Sequence, residues 1–228
     1  MKRGCQMRAI VTGAALMLCV SAYGAEPVPI EQDPYHKIVF SDQALRVLEV
    51  RVPEGQETLD HMHRYDIATV CIDCAQTRTR LPGQPYGEIR PRKAGGFLIA
   101  EYAGKPAAHA VKNVGTGFYR LVGVENVRLS GWTTAAPLAG QAGTVLAQES
   151  RAFRVYDVQV EPGKARAQHT HTSPTVVVLD KGDVSQQTGT ASKRLSKPGE
   201  WTLVPAGVSH TIGAQGRDAA HLVEIEVR

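Results

Sequence analysis

The sequence predicts an all-β protein, built as two tandem β-barrels behind an N-terminal signal peptide. Three observations predict it. Short β-rich runs separated by Gly, Pro, Asp and Ser fill the chain, and no long stretch carries a helical apolar period. The two halves repeat each other at an offset of about a hundred residues. Six of the eight histidines fall into two copies of one spaced pattern.

The chain starts with a basic segment, Lys2, Arg3 and Arg8, followed by a mostly apolar run from Ala9 to Val20. Small residues follow, with Ala22-x-Gly24 suiting a signal peptidase, so residues 1–25 read as a secretory leader. The apolar run is short for a membrane span, and Leu18 before Cys19 is too large for a lipobox. Cleavage leaves no stable span in the mature chain and points to a periplasmic or secreted protein. It also lowers the formal charge from +4 to about +1, which gives no argument for a nucleic-acid partner.

Strands are expected at His36–Phe40, Leu45–Val52, Ile67–Ile72, Gly96–Tyr102 and Phe118–Val124 in the first half. In the second half they are expected at Phe153–Val160, Thr175–Leu179, Trp201–Val204 and His221–Val227. Arg46–Gly55 (RVLEVRVPEG) matches Arg154–Gly163 (RVYDVQVEPG), an alternating strand ending at a glycine turn. The Ala- and Gly-rich segment Thr133–Gly143 reads as the connection. The organisation is therefore a leader over 1–25, a first barrel over 26–130, a linker over 131–150 and a second barrel over 151–228.

The histidine pattern carries the chemistry. Gly55 precedes His61-Met62-His63 by five residues, and Gly163 precedes His169-Thr170-His171 by five. Each pair has a distant third histidine, His109 and His210. Side chains alternate along a strand, so a His-x-His pair points both rings to one face. Neutral imidazole ligates Zn, Fe, Cu and Ni. The candidate metal ligands are His61, His63 and His109 in the first half, and His169, His171 and His210 in the second.

These residues resemble the cupin family. Its first motif runs Gly-x5-His-x-His-x3,4-Glu-x6-Gly and its second Gly-x5-Pro-x-Gly-x2-His-x3-Asn. Gly163, His169, His171, Gly182, Gly199, Pro205, Gly207 and His210 occupy motif positions, and the resemblance covers both halves, as in a bicupin. It implies jelly-roll barrels with a divalent ion (Fe, Cu, Ni, Zn or Mn) held inside. The chain departs from the pattern at the glutamate, where Thr175 and Ile67 stand, with Asp66 one residue early. Cys74 replaces a glycine, Gly104-x-Pro106 replaces Pro-x-Gly, and Ala214 replaces Asn. Both sites are thus expected to keep three histidines and lose the carboxylate. That argues against the oxalate-decarboxylase type and allows three-His oxygen chemistry with iron.

Other residues have competing readings. Asp66 could add a carboxylate if its strand bulges, or face solvent. Tyr65 should share the face of His63, lining the pocket or packing. Trp201 would wall the second site or join the core. Cys71 and Cys74 could form a disulfide if a turn at Asp73 brings them together; otherwise they are quiet thiols. A redox-active pair would need a helix N-terminus that the sequence does not signal. Arg78, Arg80, Arg90, Arg92 and Lys93 form either a solvated hairpin or an anion-collecting rim at the first barrel mouth. His36 and His221 lie outside the motifs, and His221 reads as structural. No Ser-His-Asp order, phosphate-binding glycine loop or dinucleotide fingerprint is present.

The reading is an exported metal-binding bicupin, a dioxygenase-like oxidoreductase acting on a small molecule, with its centre in the second barrel. The alternative is a non-catalytic cupin that captures a small ligand or a metal. A small-molecule ligand is the expected partner, and a homo-oligomer is compatible with it.

Overall fold

The computed structural model describes residues 26–128 and 133–228; the leader expected over 1–25 lies outside them. The first half supplies β1 (Val28–Pro29), β2 (His36–Ser41), β3 (Leu45–Val52), β4 (His61–His63), β5 (Asp66–Cys74), β6 (Thr77–Arg80), β7 (Phe97–Ala100), β8 (Ala107–Asn113) and β9 (Tyr119–Asn126). They form two sheets, ordered β1-β4-β8-β6 and β2-β3-β9-β5-β7. The second half supplies β10 (Thr144–Glu149), β11 (Phe153–Val160), β12 (His169–Thr170), β13 (Thr175–Lys181), β14 (Val184–Thr188), β15 (Ala191–Leu195), β16 (Trp201–Val204), β17 (Ser209–Ala214) and β18 (Ala220–Val227). Its sheets are ordered β12-β17-β14-β15 and β10-β11-β18-β13-β16, the same wiring with no counterpart of β1 and with β15 added at the other edge. No helix among the described residues is long and apolar enough to cross a membrane.

The registers repeat as well. Leu45 faces Asn126 on β3 and β9, and Phe153 faces Val227 on β11 and β18. His36 faces Val50, and Thr144 faces Val158. Position by position, Glu125 therefore corresponds to Glu226, and Gly123 to Glu224.

The two five-stranded sheets share one core. Leu45, Val47, Ala68, Val70, Val122 and Val124 pack in one cluster with Phe153, Val155, Val176, Val178, Val223 and Ile225. This explains why β5 and β13 read as nearly continuous apolar runs. Each has one face toward the barrel interior and the other toward the opposite half.

The nine expected strands all form, with small shifts at their ends. The strands that the sequence did not announce are polar or partly exposed, as in β6 (TRTR) and β15 (ASKRL). Main-chain pairing to β8 and β14 holds them, and their side-chain pattern gives little sign of it. The stretch expected as a linker, 131–150, also contains β10, which extends the second five-stranded sheet at its edge. Thr133–Gly143 carries no strand.

Cys71 and Cys74 form a disulfide. The ladder between β5 and β9 slips by one residue between Cys71 and Asp73. This bulge brings the two Cα atoms to 5.9 Å, which a regular strand would not allow.

Candidate metal centres

His61–His63 forms β4, and β12 covers His169 and Thr170 with His171 just beyond it; each pair faces its distant histidine across a ladder. His61 is register partner to His109, and His169 to His210. The ring centroids of these facing pairs are 4.7 and 4.2 Å apart. Each half therefore gathers its three candidate ligands into one cluster, buried except for the half-buried His109. In the second half, Gly207 supplies the turn before His210. Its backbone is left-handed, at φ 74°, and its N–H donates to the His171 carbonyl, tying the two motif segments together.

The nitrogens are oriented alike. His61 Nδ1 donates to the Leu59 carbonyl at 3.0 Å, and His169 Nδ1 to the Ala167 carbonyl at 2.9 Å. A carbonyl only accepts, so each Nε2 carries a free lone pair. The Nε2 atoms of His61, His169, His171 and His210 and the Nδ1 of His63 are buried without a hydrogen-bond partner. Converging orphaned nitrogens of this kind fit a bound cation, which would satisfy them together.

The second cluster contains a fourth group that the sequence did not reveal. Glu224, fully buried on β18, joins His169, His171 and His210 within ligand distance of one another. The expectation that both sites lose their carboxylate is thus corrected for the second half: the carboxylate comes from the last strand, and Thr175 occupies the expected position. Thr175 is buried and donates its hydroxyl to the Ser173 carbonyl. The final strand, HLVEIEV, alternates apolar and acidic residues, which usually means core and solvent faces. Here the apolar face packs against the first half and the acidic face lines the barrel, so Glu224 and Glu226 point inward. Arg166 holds Glu224 through a short ion pair, and Arg154 holds Glu226 at 3.3 Å.

The electrostatics of the two clusters differ. In the first, burial is the main reason that His61, His63 and His109 fall to about 3, 2 and 4, so all three are neutral near pH 7. In the second, burial lowers His169, and His210 to about 3. Burial also opposes a charge on His171, but Glu224 and Glu226 overcome it and raise this imidazole to about 9. Burial opposes the charge on Glu224 too, yet His171 and Arg166 hold its carboxyl down at about 2. With no ion bound, a proton on His171 balances the buried carboxylates of the second cluster.

The first cluster has Gly123 where the second has Glu224, and so no inward carboxylate there. Instead it opens on a cavity of about 400 Å³, lined by His63, His109 and His36 and by apolar side chains that include Val50, Ile67 and Phe97. Tyr102 stacks on His63 with centroids 4.7 Å apart. His36 also belongs here, although it lies outside the motifs. Its ring is 4.4 Å from that of His61, and its Nδ1 donates at 2.9 Å to Asp33. Asp33 is buried and also accepts the N–H groups of Tyr35 and Leu59. Asp33, His36 and His61 form a further group with metal-ligand spacing. Thr144 holds the position of His36 in the second half. A buried aspartate three residues before a strand histidine was the only sequence sign of this pair.

The remaining residues sort plainly. Asp66 is buried, but it accepts from the Ala103 N–H at 2.8 Å and pairs with Arg151 at 3.3 Å, away from the histidines. Tyr65 lies under the Arg46 guanidinium, 5.0 Å from its ring centre, and does not line the cavity. Residues 64 and 65 connect two strands, so the alternation set by His63 ends there. Trp201 packs edge-on against Phe40 in the shared core. His221 pairs with Asp180 at 2.8 Å and Asp157 at 3.3 Å.

No family profile and no curated protein matches the sequence. Solved structures do match the fold. AerE from Microcystis aeruginosa superposes with a TM-score of 0.66 at 13% identity, over 89% of this chain and 98% of that one. A cupin 2 conserved barrel domain protein from Leptotrichia buccalis gives 0.53 at 12% identity, over 85% and 88%. Salicylate 1,2-dioxygenase from Pseudaminobacter salicylatoxidans gives 0.62 at 10% identity, over 81% and 71%. The all-β chain, with its two pairs of antiparallel sheets, therefore has the jelly-roll barrel fold of the cupins.

Proposed function

We propose that the chain is an exported, metal-binding bicupin, a dioxygenase-like oxidoreductase whose reaction chamber lies in the first barrel rather than in the second, where the histidine motifs alone had put its centre. The second barrel, starting at β10, carries a closed ion site of three histidines and Glu224. The observation that carries this reading is the contrast between the two clusters. One is ringed by a carboxylate and its arginine. The other has three neutral imidazoles, two of which, His63 and His109, line a cavity large enough for a small organic molecule. His61, His63 and His109 would hold an ion that supplies Lewis acidity and, if redox-active, electrons for dioxygen chemistry. The protein's own part is to hold the substrate against apolar walls, exclude water, and present His36 Nε2 beside the cluster. The Asp33 carboxylate accepts from His36 Nδ1 and fixes the orientation of that ring. A salicylate dioxygenase and an oxalate decarboxylase share the fold at 10% and 13% identity, which supports small-molecule metal chemistry on this scaffold without naming the substrate.

Azide binding to copper(II)-loaded protein tests the reading. His210→Ala should leave the first site as the ordered one, and its copper spectrum should change with azide. His109→Ala should leave the second, with a spectrum that azide does not alter. An azide response confined to the second site would place the open centre there. A response at neither would favour a non-catalytic binding protein.

A further inference from the structure

Arg90 and Arg92 both line the first chamber, and no Asp or Glu among the described residues lines it with them. Other arginines of the chain are neutralised: Arg46 by Glu125, Arg80 by Asp60, Arg154 by Glu226 and Arg166 by Glu224. Arg92 instead donates to two neutral hydroxyls, Tyr119 at 3.1 Å and Thr69 at 3.3 Å. They aim the guanidinium without cancelling its charge. Arg90 lies close enough to His109 that its charge adds to burial and to His36 in depressing that imidazole. The chamber thus presents two arginines to a largely apolar hollow with no carboxylate in its lining, together with His63 and His109.

The segment that carries them is fixed in place. The Arg90 N–H donates to the Thr77 carbonyl at 2.8 Å, and Pro91 restricts the backbone between the two arginines. Further along, Gly95 donates to the Cys71 carbonyl, and the Cys71 N–H to the Gly96 carbonyl. Gly95 has φ 72°, and a Cβ there would stand 2.7 Å from Asp180 Oδ2 and from His221 Cε1 in the second half. The Asp180–His221 pair is therefore the surface on which the arginine segment rests. Ordering this segment before a ligand arrives removes part of the entropic cost of binding.

We infer that the first chamber binds a small organic acid, its carboxylate held by Arg90 and Arg92 and its apolar, ring-sized body against Val50, Ile67, Phe97 and Leu121. This rests on the reading of the same chamber as the reaction site and names its substrate class. A fork of N–H donors matches a carboxylate, and a cavity walled mostly by carbon disfavours a small, strongly hydrated anion.

Calorimetric titration of the full chain with benzoate, salicylate, phenylpyruvate, benzamide and inorganic phosphate tests it, with the metal content of each sample measured alongside. At least one of the three acids should bind, and benzamide and phosphate should bind about tenfold more weakly or not at all. Arg90→Gln and Arg92→Gln should each weaken that acid by about tenfold at unchanged metal content. Arg78→Gln, an exposed arginine outside the chamber, should leave its affinity as in the wild type. Equal binding of acid and amide, acid binding indifferent to both arginines, or no acid binding overturns the inference. Arginine-dependent acid binding by a protein that holds no metal would instead overturn the metal reading and leave the inference standing.

Discussion

Glu224 and Gly123 occupy the same place in the two halves, and this difference gives the second cluster a carboxylate that the first lacks there. Removing the carboxylate should weaken the second site alone. Glu224→Gln is expected to lower its metal affinity by about ten- to a hundredfold, measured by competition with a chelator in a His109→Ala background. The change also leaves Arg166 buried without its anion, so a lower melting temperature should accompany it. The buried imidazoles set a pH dependence. His61, His63, His109 and His210 lie well below their ordinary value near 6.5 when folded. The unfolded chain therefore binds more protons as pH falls, and their contribution, present above about pH 6.5, is lost on acidification. His171, raised to about 9, acts the other way: its contribution is present below about 6.5 and fades as pH rises toward 9. Metal-stripped protein should be most stable around neutrality, and its urea midpoint should fall from pH 7 to pH 5. A midpoint that rises over that interval would contradict the buried, neutral state of the four histidines.

The strands show how far residue pattern alone reaches. β3, β11 and β16 were legible to the residue, because their β-branched and aromatic runs end at clear turn signals. The four histidines of the His-x-His pairs were legible from period-two alternation, which needs no tertiary information, and the candidates His109 and His210 from the repeated spacing. Glu224 was not. Which face of β18 meets the barrel interior depends on a sheet from the other half, and that packing leaves no local mark. β6 and β15 stayed hidden for a related reason, since main-chain ladders hold polar segments whose side chains carry no period. The Cys71–Cys74 link shows the same limit, because one bulged residue decides whether the thiols can meet. Cys71 is fully buried, and no helix N-terminus stands beside it to stabilise a thiolate. The pair is expected to be inert: the protein should not catalyse insulin reduction, and Cys71→Ser should change nothing in that assay. Measurable turnover that Cys71→Ser abolishes would make the bond a redox centre.

The molecule as a whole is joined through its middle. The five-stranded sheets of the two halves bury one common apolar cluster, and the arginine segment of the first half rests on Asp180 and His221 of the second. The halves should therefore unfold together. Phe153→Ala, at a fully buried place in the shared cluster, is expected to cost about 3–5 kcal/mol and to lower a single melting transition. Two separated transitions, only one of them shifted, would show that the halves are independent. The chain is predicted to hold two different ion sites, a closed one that retains its ion and an open one that works on a ligand. Metal content per chain after dialysis against a weak chelator tests it most directly, in wild type, His109→Ala and His210→Ala. His210→Ala should lose the ion that survives dialysis, and His109→Ala should lose only the ion that the chelator removes first. If the His109→Ala loss is the chelator-resistant one, the roles of the two barrels are reversed. If neither substitution changes the metal content, both histidine clusters are structural and the account fails.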